Sequence, residues 1–225
     1  MTRELVLTLH GLGEPPRHID KDEAKFWVCT EAFGALLDRC RDAKVGNGSA
    51  TVLTFDDAHL SHATVALPRL VEKGLSGIFF VCAGRIGQKD CLDRAALIDM
   101  LAAGMEIGTH GMDHVDWRQL DGLAKVREYD DARACIEDIC GRKITKAAIP
   151  YGYYSRQVLE DLKMRPYQHV YTCDRGFAQS NLWLKPRNTL ERTTSAKETD
   201  DLFNNMTPLF VKLRRRAAAA AKAMR

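Results

Sequence analysis

Ser49–Ala58 reads SATVLTFDDA: Val52, Leu53 and Phe55 carry the chain straight into two adjacent carboxylates, Asp56 and Asp57. The run is short, β-branched and aromatic, the pattern of a buried strand. Neighbouring side chains at a strand end point in different directions. One carboxylate can therefore hold a metal ion while the other faces whatever lies beside it, a division between ligand and base. The same letters also suit a solvated Asp-Asp turn, and the rest of the chain decides between the two.

Outward from that stretch the text alternates. Before it come a strand over Glu4–Leu9 ending at His10-Gly11, and a helix over Thr30–Arg41 with Thr30 as N-cap and Ala32, Phe33, Leu36 and Leu37 on one face. Gly46, Asn47 and Gly48 then turn the chain into the central strand. After it come helical spacing at Val65, Leu67, Leu70 and Val71, with Pro68 kinking or delaying the helix, and an unbroken apolar strand, Gly77–Cys82. A helix over Leu92–Ala103, a short strand over Met105–Gly108, a helix over Leu123–Cys140, a strand over Lys146–Ile149, a helix over Ser155–Lys163 and a strand over His169–Cys173 complete the series. Strand and helix in alternation predict an α/β fold with a mostly parallel sheet, whose sites gather at the C-terminal ends of the strands. Six or seven strands suit an open doubly wound sheet or a small, incomplete barrel. The lack of a GxGxxG after the first strand leaves a dinucleotide fold unsupported.

At 225 residues, 45% apolar and 28% charged, the chain is an ordinary globular one, long enough for a single domain over 1–225. A net charge of +3 points to no nucleic-acid partner. Seven cysteines without a CxxC pair suggest neither a disulfide framework nor a cysteine zinc site, and reduced thiols suit the cytoplasm. Five apolar residues before His10 are too few for a secretory leader or a membrane span. Cytoplasmic localisation is the expectation. Over residues 208–225, Leu209, Phe210 and Leu213 precede RRRAAAAAKAMR, which reads as a solvated, fraying basic helix end, with peripheral contact to anionic lipid as the alternative.

His110 and His114 stand four apart in GTHGMDH. On a helical turn that spacing puts two imidazoles about 6 Å apart at Cβ, close enough to share a metal. Gly111 stands where HExxH needs its glutamate, which excludes the zinc-protease reading. With Asp57 the pair makes a set of two imidazoles and one carboxylate that leaves positions open for water and substrate. Such an ion polarises a carbonyl and brings the pKa of its water from ~15.7 toward ~7, and Asp56 beside it is placed to accept the proton.

TFDD, HxxxH and PYG, in this order and at these separations, resemble the polysaccharide deacetylase domain (NodB homology, carbohydrate esterase family 4), from about Val52 to Asp174. The text LTLHG and the later FW are similar to members from exopolysaccharide clusters. The resemblance implies a distorted (β/α) barrel of about seven strands that removes N-acetyl, or O-acetyl, groups from GlcNAc-type sugars. It implies Asp56 as catalytic base, and Asp57, His110 and His114 as ligands of a divalent metal, zinc first, with cobalt or nickel as alternatives. Tyr151 would supply an oxyanion-stabilising backbone N–H, with Pro150, Gly152, Arg187 and Trp117 (and Trp183) around the acetylated sugar.

The chain departs from the family's pattern at four places. Ala58 replaces the glycine after the Asp pair, Gly111 replaces a hydroxyl residue, and Ala148 replaces the arginine that orients the base, leaving Arg175 or Arg187 to serve. No histidine follows His169, so the family's late general acid has no counterpart. His10 is the first candidate for that role, Asp56 returning its own proton the second, and Asp174 a carboxylate that could support it. An amidase on a small non-sugar amide, and a catalytically impaired scaffold of polysaccharide synthesis, are the alternative functions.

Overall fold

The computed structural model describes residues 2–43 and 49–224, so the expected turn at Gly46, Asn47 and Gly48 lies outside the described residues. Its strands are β1 (Arg3–Leu9), β2 (Ser49–Asp56), β3 (Gly77–Val81), β4 (Glu106–Thr109), β5 (Lys146–Ala148), β6 (His169–Thr172), β7 (Phe177–Gln179), β8 (Leu184–Pro186) and β9 (Asn188–Thr189). β1 through β6 pair in parallel in sequence order. The stretch from β8 to β9 closes the ring: β8 pairs with β6 on one side and β9 with β1 on the other. Arg187 sits at the changeover, its N–H donating to Thr172 O at 3.0 Å. Seven positions around a nearly closed barrel result, with β7 antiparallel along the start of β1. The barrel, not the open sheet, is the fold.

The two-residue period of the strands decides what faces the interior. On β2, Leu53 and Phe55 turn outward beneath the helices, where Phe55 stacks on Phe79 at 4.6 Å and meets Phe33 edge-on at 6.1 Å. Val52 packs inward with Val6, Ile78, Phe80, Ala148 and Tyr171. Thr54 belongs to the same face and donates to Leu7 O at 3.0 Å. Asp56, two residues on, therefore enters the barrel mouth.

The helices follow the expected series with local differences. The first long helix runs Thr30–Ala43. Asp93 caps Arg94–Ala102, accepting from Ala96 N–H at 2.8 Å. Pro68 falls in the first turn of Leu67–Glu72, where its missing N–H costs nothing, and a π-helical turn, His62–Ala66, leads into it. The segment expected as one helix over Leu123–Cys140 is broken by a second π-helical stretch, Val126–Asp131. The tail forms a helix, Leu209–Met224, whose far end is tied down rather than frayed: Lys222 Nζ meets Asp174 Oδ1 at 2.7 Å and lies over the Tyr154 ring, 5.3 Å from its centroid. Among the described residues no helix is long and apolar enough to cross a membrane.

Candidate active site

β2 ends in a turn that only special backbone geometry permits. Asp57 and Ala58 both take left-handed conformations, φ 77° and 64°. For a residue with a Cβ this costs about 1–3 kcal/mol, and Ala58 stands where glycine would relieve it. The turn sends Asp56 along the barrel interior and swings Asp57 across the mouth toward the loop that follows β4.

That loop carries His110 and His114, and a loop, not a helical turn, brings them together with ring centroids 4.9 Å apart. Gly111 adopts φ 82°, and a Cβ there would lie 2.2 Å from Glu128 Oε2. The glycine that replaces a hydroxyl residue thus makes room for a buried carboxylate. Glu128 accepts from the N–H groups of Met112 at 3.0 Å and Asp113 at 2.9 Å and from the Trp117 indole at 3.2 Å, which fixes the loop. The expectation that Trp117 walls the sugar site is corrected here: it is 1% exposed and packs edge-on to Tyr129 in the core. Trp183 is also engaged elsewhere, donating to Tyr167 O at 2.9 Å.

His110 Nδ1 lies 2.8 Å from Ala148 O and donates to it, which turns Nε2 toward the two aspartates, 3.7 Å from Asp56 Oδ2. Asp57 Oδ1 is 3.6 Å from His110 Nε2 and 3.3 Å from His114 Nε2. Burial, then the neighbouring His110, lowers the His114 pKa to about 4, so this imidazole is neutral near pH 7. One donor atom from each of the three residues lies within 4.8 Å of the others. Asp57 Oδ1 is buried and has no hydrogen-bond partner among the described residues. A buried carboxylate oxygen is normally satisfied, and here it faces two imidazole nitrogens, with the Arg85 guanidinium farther off at 4.0 Å, so the set fits a divalent cation. His59, buried and unremarked in the sequence, places Nε2 3.8 Å from Asp57 Oδ2 and 3.6 Å from Glu23 Oε1.

Asp56 has a different partner. Arg187, fully buried, grips it through two bonds of 2.7 Å, Nη1 to Oδ1 and Nη2 to Oδ2. Burial alone would raise the Asp56 pKa, but Arg187 and then His110 outweigh it and hold the carboxyl below its usual range. Arg187 is thus placed behind Asp56 rather than against a ligand in the cavity, and Ala148 leaves the interior volume that an arginine on β5 would take. Arg175 is exposed at the rim.

A cavity of about 640 Å³ opens over these groups, lined by Asp56, Asp57, His110, His114, His10 and Tyr151 among others. His10 lies at the end of β1, its ring 5.0 Å from that of Phe26 and its buried Nδ1 without a partner among the described residues. Burial pushes its pKa down. Tyr151 is half exposed, with φ 57°, and its hydroxyl donates to His114 O at 3.2 Å. Pro150 and Gly152 are buried on either side, where they shape the turn rather than line the cavity. Gly152, at φ 66°, has no room for a Cβ, which would lie 2.6 Å from Cys173 Cβ and 2.9 Å from its nitrogen. Asp174 lies outside the cavity lining, held by Tyr154 OH at 2.7 Å and Thr172 Oγ1 at 2.8 Å as well as Lys222.

Known structures share this architecture. The deacetylase PplD of Streptococcus pyogenes, solved with acetate, superposes with a TM-score of 0.79 at 19% identity over 92% of this chain and 99% of its own. IcaB of Ammonifex degensii gives 0.76 at 20% identity, covering 91% and 97%. BC0361, a polysaccharide deacetylase of Bacillus cereus, gives 0.78 at 17% identity, covering 89% and 69%. In sequence, YxkH of Bacillus subtilis, whose name assigns it to the polysaccharide deacetylases, is 25% identical over 127 residues, 56% of this chain but only 46% of that protein. The polysaccharide deacetylase family model matches residues 43–170, from just before β2 into β6 and across every residue of the Asp-His-His cluster. The chain belongs to the polysaccharide deacetylase family.

Proposed function

We propose that this chain hydrolyses the N-acetyl group of a GlcNAc-type sugar, with a divalent ion held by Asp57, His110 and His114. The observation that carries the reading is the orphaned Asp57 Oδ1 facing two imidazole nitrogens beside an aspartate locked to a buried arginine. When bound, the ion, zinc first with cobalt or nickel as alternatives, polarises the amide carbonyl and acidifies water. Asp56 accepts the proton of the attacking water, and Arg187 keeps it ionised to do so. The Tyr151 N–H donates to the tetrahedral oxyanion, a contribution of roughly 3 kcal/mol at comparable sites. His10 protonates the departing nitrogen: its lowered pKa makes the imidazolium a stronger acid, though a scarcer one at neutral pH. Half-exposed Tyr151 and Tyr153, stacked at 5.6 Å, offer an aromatic face to the sugar ring.

Acetate release from GlcNAc oligomers tests this directly. Acetate from an N-acetylated sugar is expected; ammonia from small amides instead would make the protein an amidase, and neither product would leave a binding protein. Cytoplasmic localisation belongs to the same proposal, because there the substrate is a carrier-linked precursor rather than exported polymer, and cell fractionation checks it.

Gly152→Ala bears on the oxyanion donor. The added methyl meets Cys173 from the adjoining strand, so the turn must shift and carry the Tyr151 N–H with it. We expect kcat to fall by about tenfold to a hundredfold with KM little changed, since a displacement of 1 Å costs on the order of 100-fold. A steady-state comparison with unchanged kcat would remove Tyr151 from this role.

A further inference from the structure

Beside the catalytic cavity lies a second one, of about 620 Å³, between β7, β8 and the C-terminal helix. Its walls carry five cations, Arg3, Arg175, Lys212, Arg215 and Arg216, against a single carboxylate, Asp174. That carboxylate is already taken by Lys222, Tyr154 and Thr172. Among the described residues the guanidinium groups of Arg175, Arg215 and Arg216 have no hydrogen-bonded or ion-paired partner. Elsewhere on this chain such groups are commonly paired, as in Arg192 with Glu14 and Arg165 with Asp130. Burial, and then repulsion from Arg175 and Arg214, disfavours the charged form of Arg215. Glu191, Glu198 and Asp201 lie on the far side of Arg175 and Arg215, in an adjoining cavity, and none is paired with either arginine. Like charges gathered around a concavity whose one carboxylate is already engaged make a site for an anion, and unpaired guanidinium forks match the oxygens of a phosphoryl group.

Arg175 lines this cavity and the catalytic one alike. We propose that the basic cavity binds the phosphate or diphosphate of the substrate, so that the acetylated sugar is presented to the site as a glycosyl phosphate. The substrate class rests on the deacetylase reading above; the anion site does not. A diphosphate held between Arg175 and Arg215 leaves its sugar on the side of Arg175 that opens onto Asp56 and Asp57. Two carriers share this chemistry, a nucleoside diphosphate and a polyprenyl diphosphate. Exposed Met206, Leu209, Phe210 and Leu213, along the approach to and start of the C-terminal helix, would meet the lipid of the second.

Calorimetric titration of the metal-free protein with inorganic pyrophosphate, in chelator and at low salt, tests the anion site. Wild type is expected to bind, and Arg215→Gln/Arg216→Gln and, from the opposite wall, Arg3→Gln each to bind at least about tenfold more weakly. Absence of binding to the wild type, or equal binding by all three proteins, would overturn the proposal. With metal-loaded protein, kcat/KM for UDP-GlcNAc, for polyprenyl-diphosphate GlcNAc in mixed micelles and for phosphate-free GlcNAc oligomers tests the substrate class and separates the carriers. At least one phosphorylated sugar should be preferred by about tenfold or more, and the double variant should lose that preference while turning over the oligomers at the wild-type rate. Equal kcat/KM for phosphorylated and unphosphorylated sugars would refute the substrate class and leave the deacetylase reading intact. Pyrophosphate binding that depends on Arg215 and Arg216, with acetate released from no sugar, would refute the deacetylase reading and leave the anion site standing.

Discussion

Replacing His110 with alanine is expected to strip the protein of its divalent ion and to lower acetate release by on the order of 1,000-fold. The imidazole is one of three donors, buried to 1% exposure and held in a single tautomer by the Ala148 carbonyl. Losing a group that merely orients a ligand costs 10–100-fold in metal affinity at comparable sites, so losing the ligand itself costs more. The variant should still fold: the main penalties are the space left behind and an Ala148 carbonyl without its donor, about 1–3 kcal/mol. Metal analysis of both purified proteins, beside their melting curves, reads the result. Equal metal content would end the assignment of this cluster. Asp56→Asn separates metal from base: it should keep the ion and lose about 10²–10⁴-fold in rate. A variant at that position with undiminished activity would remove Asp56 as the base, and a wild type without activity on any acetylated sugar would favour the scaffold alternative.

The letters of the sequence carry the three proposed donors and the proposed base, because Asp56, Asp57, His110 and His114 sit within a few positions of strand ends that announce themselves as apolar runs. They do not carry what holds the donors in place. Arg187 reaches Asp56 across 131 positions, from a changeover between strands of three and two residues that have no periodicity to read. β7, β8 and β9 were invisible for that reason, although the last two close the barrel. Glu128 lies on a helical stretch whose charged text suggests a solvated face, and its burial follows only from how that stretch packs under the His110 loop. Trp117 shows the converse: the family resemblance sets it beside the sugar although a tryptophan after a strand is more often core, and core is where it lies, its indole N–H donating to the buried Glu128. The missing arginine two residues before Pro-Tyr-Gly pointed to a weakened base. The structure places the same charge at the β8–β9 changeover, on Arg187, one of the two arginines left to serve, a choice that no local pattern encodes.

Arg187→Met tests that relocated charge. Both members of the pair are almost wholly buried, at 0% and 1% exposure, and removing one leaves an unpaired carboxylate where water cannot compensate it. Breaking such pairs costs about 3–5 kcal/mol, which in a chain of this size lowers the melting temperature by on the order of 10 °C. The sign with pH follows from Asp56. In the wild type its folded pKa lies below the ordinary carboxylate value of ~3.9, so its ionised form adds stability above that pH, lost only as pH falls through the folded value. In the variant burial acts with less opposition and moves the folded pKa upward. The folded state then holds a proton that the unfolded chain has released, and stability falls as pH rises. The difference between the two proteins should therefore be small near pH 4 and widen toward neutrality. The acid limb of kcat/KM should shift upward with it, because a protonated Asp56 cannot accept a proton from water. Removing both charges, Asp56→Asn/Arg187→Met, should recover much of the stability and none of the activity, as expected when the cost lies in an orphaned charge rather than in lost packing. A single variant with wild-type melting temperature and an unmoved acid limb would show that the arginine does not set the state of the base.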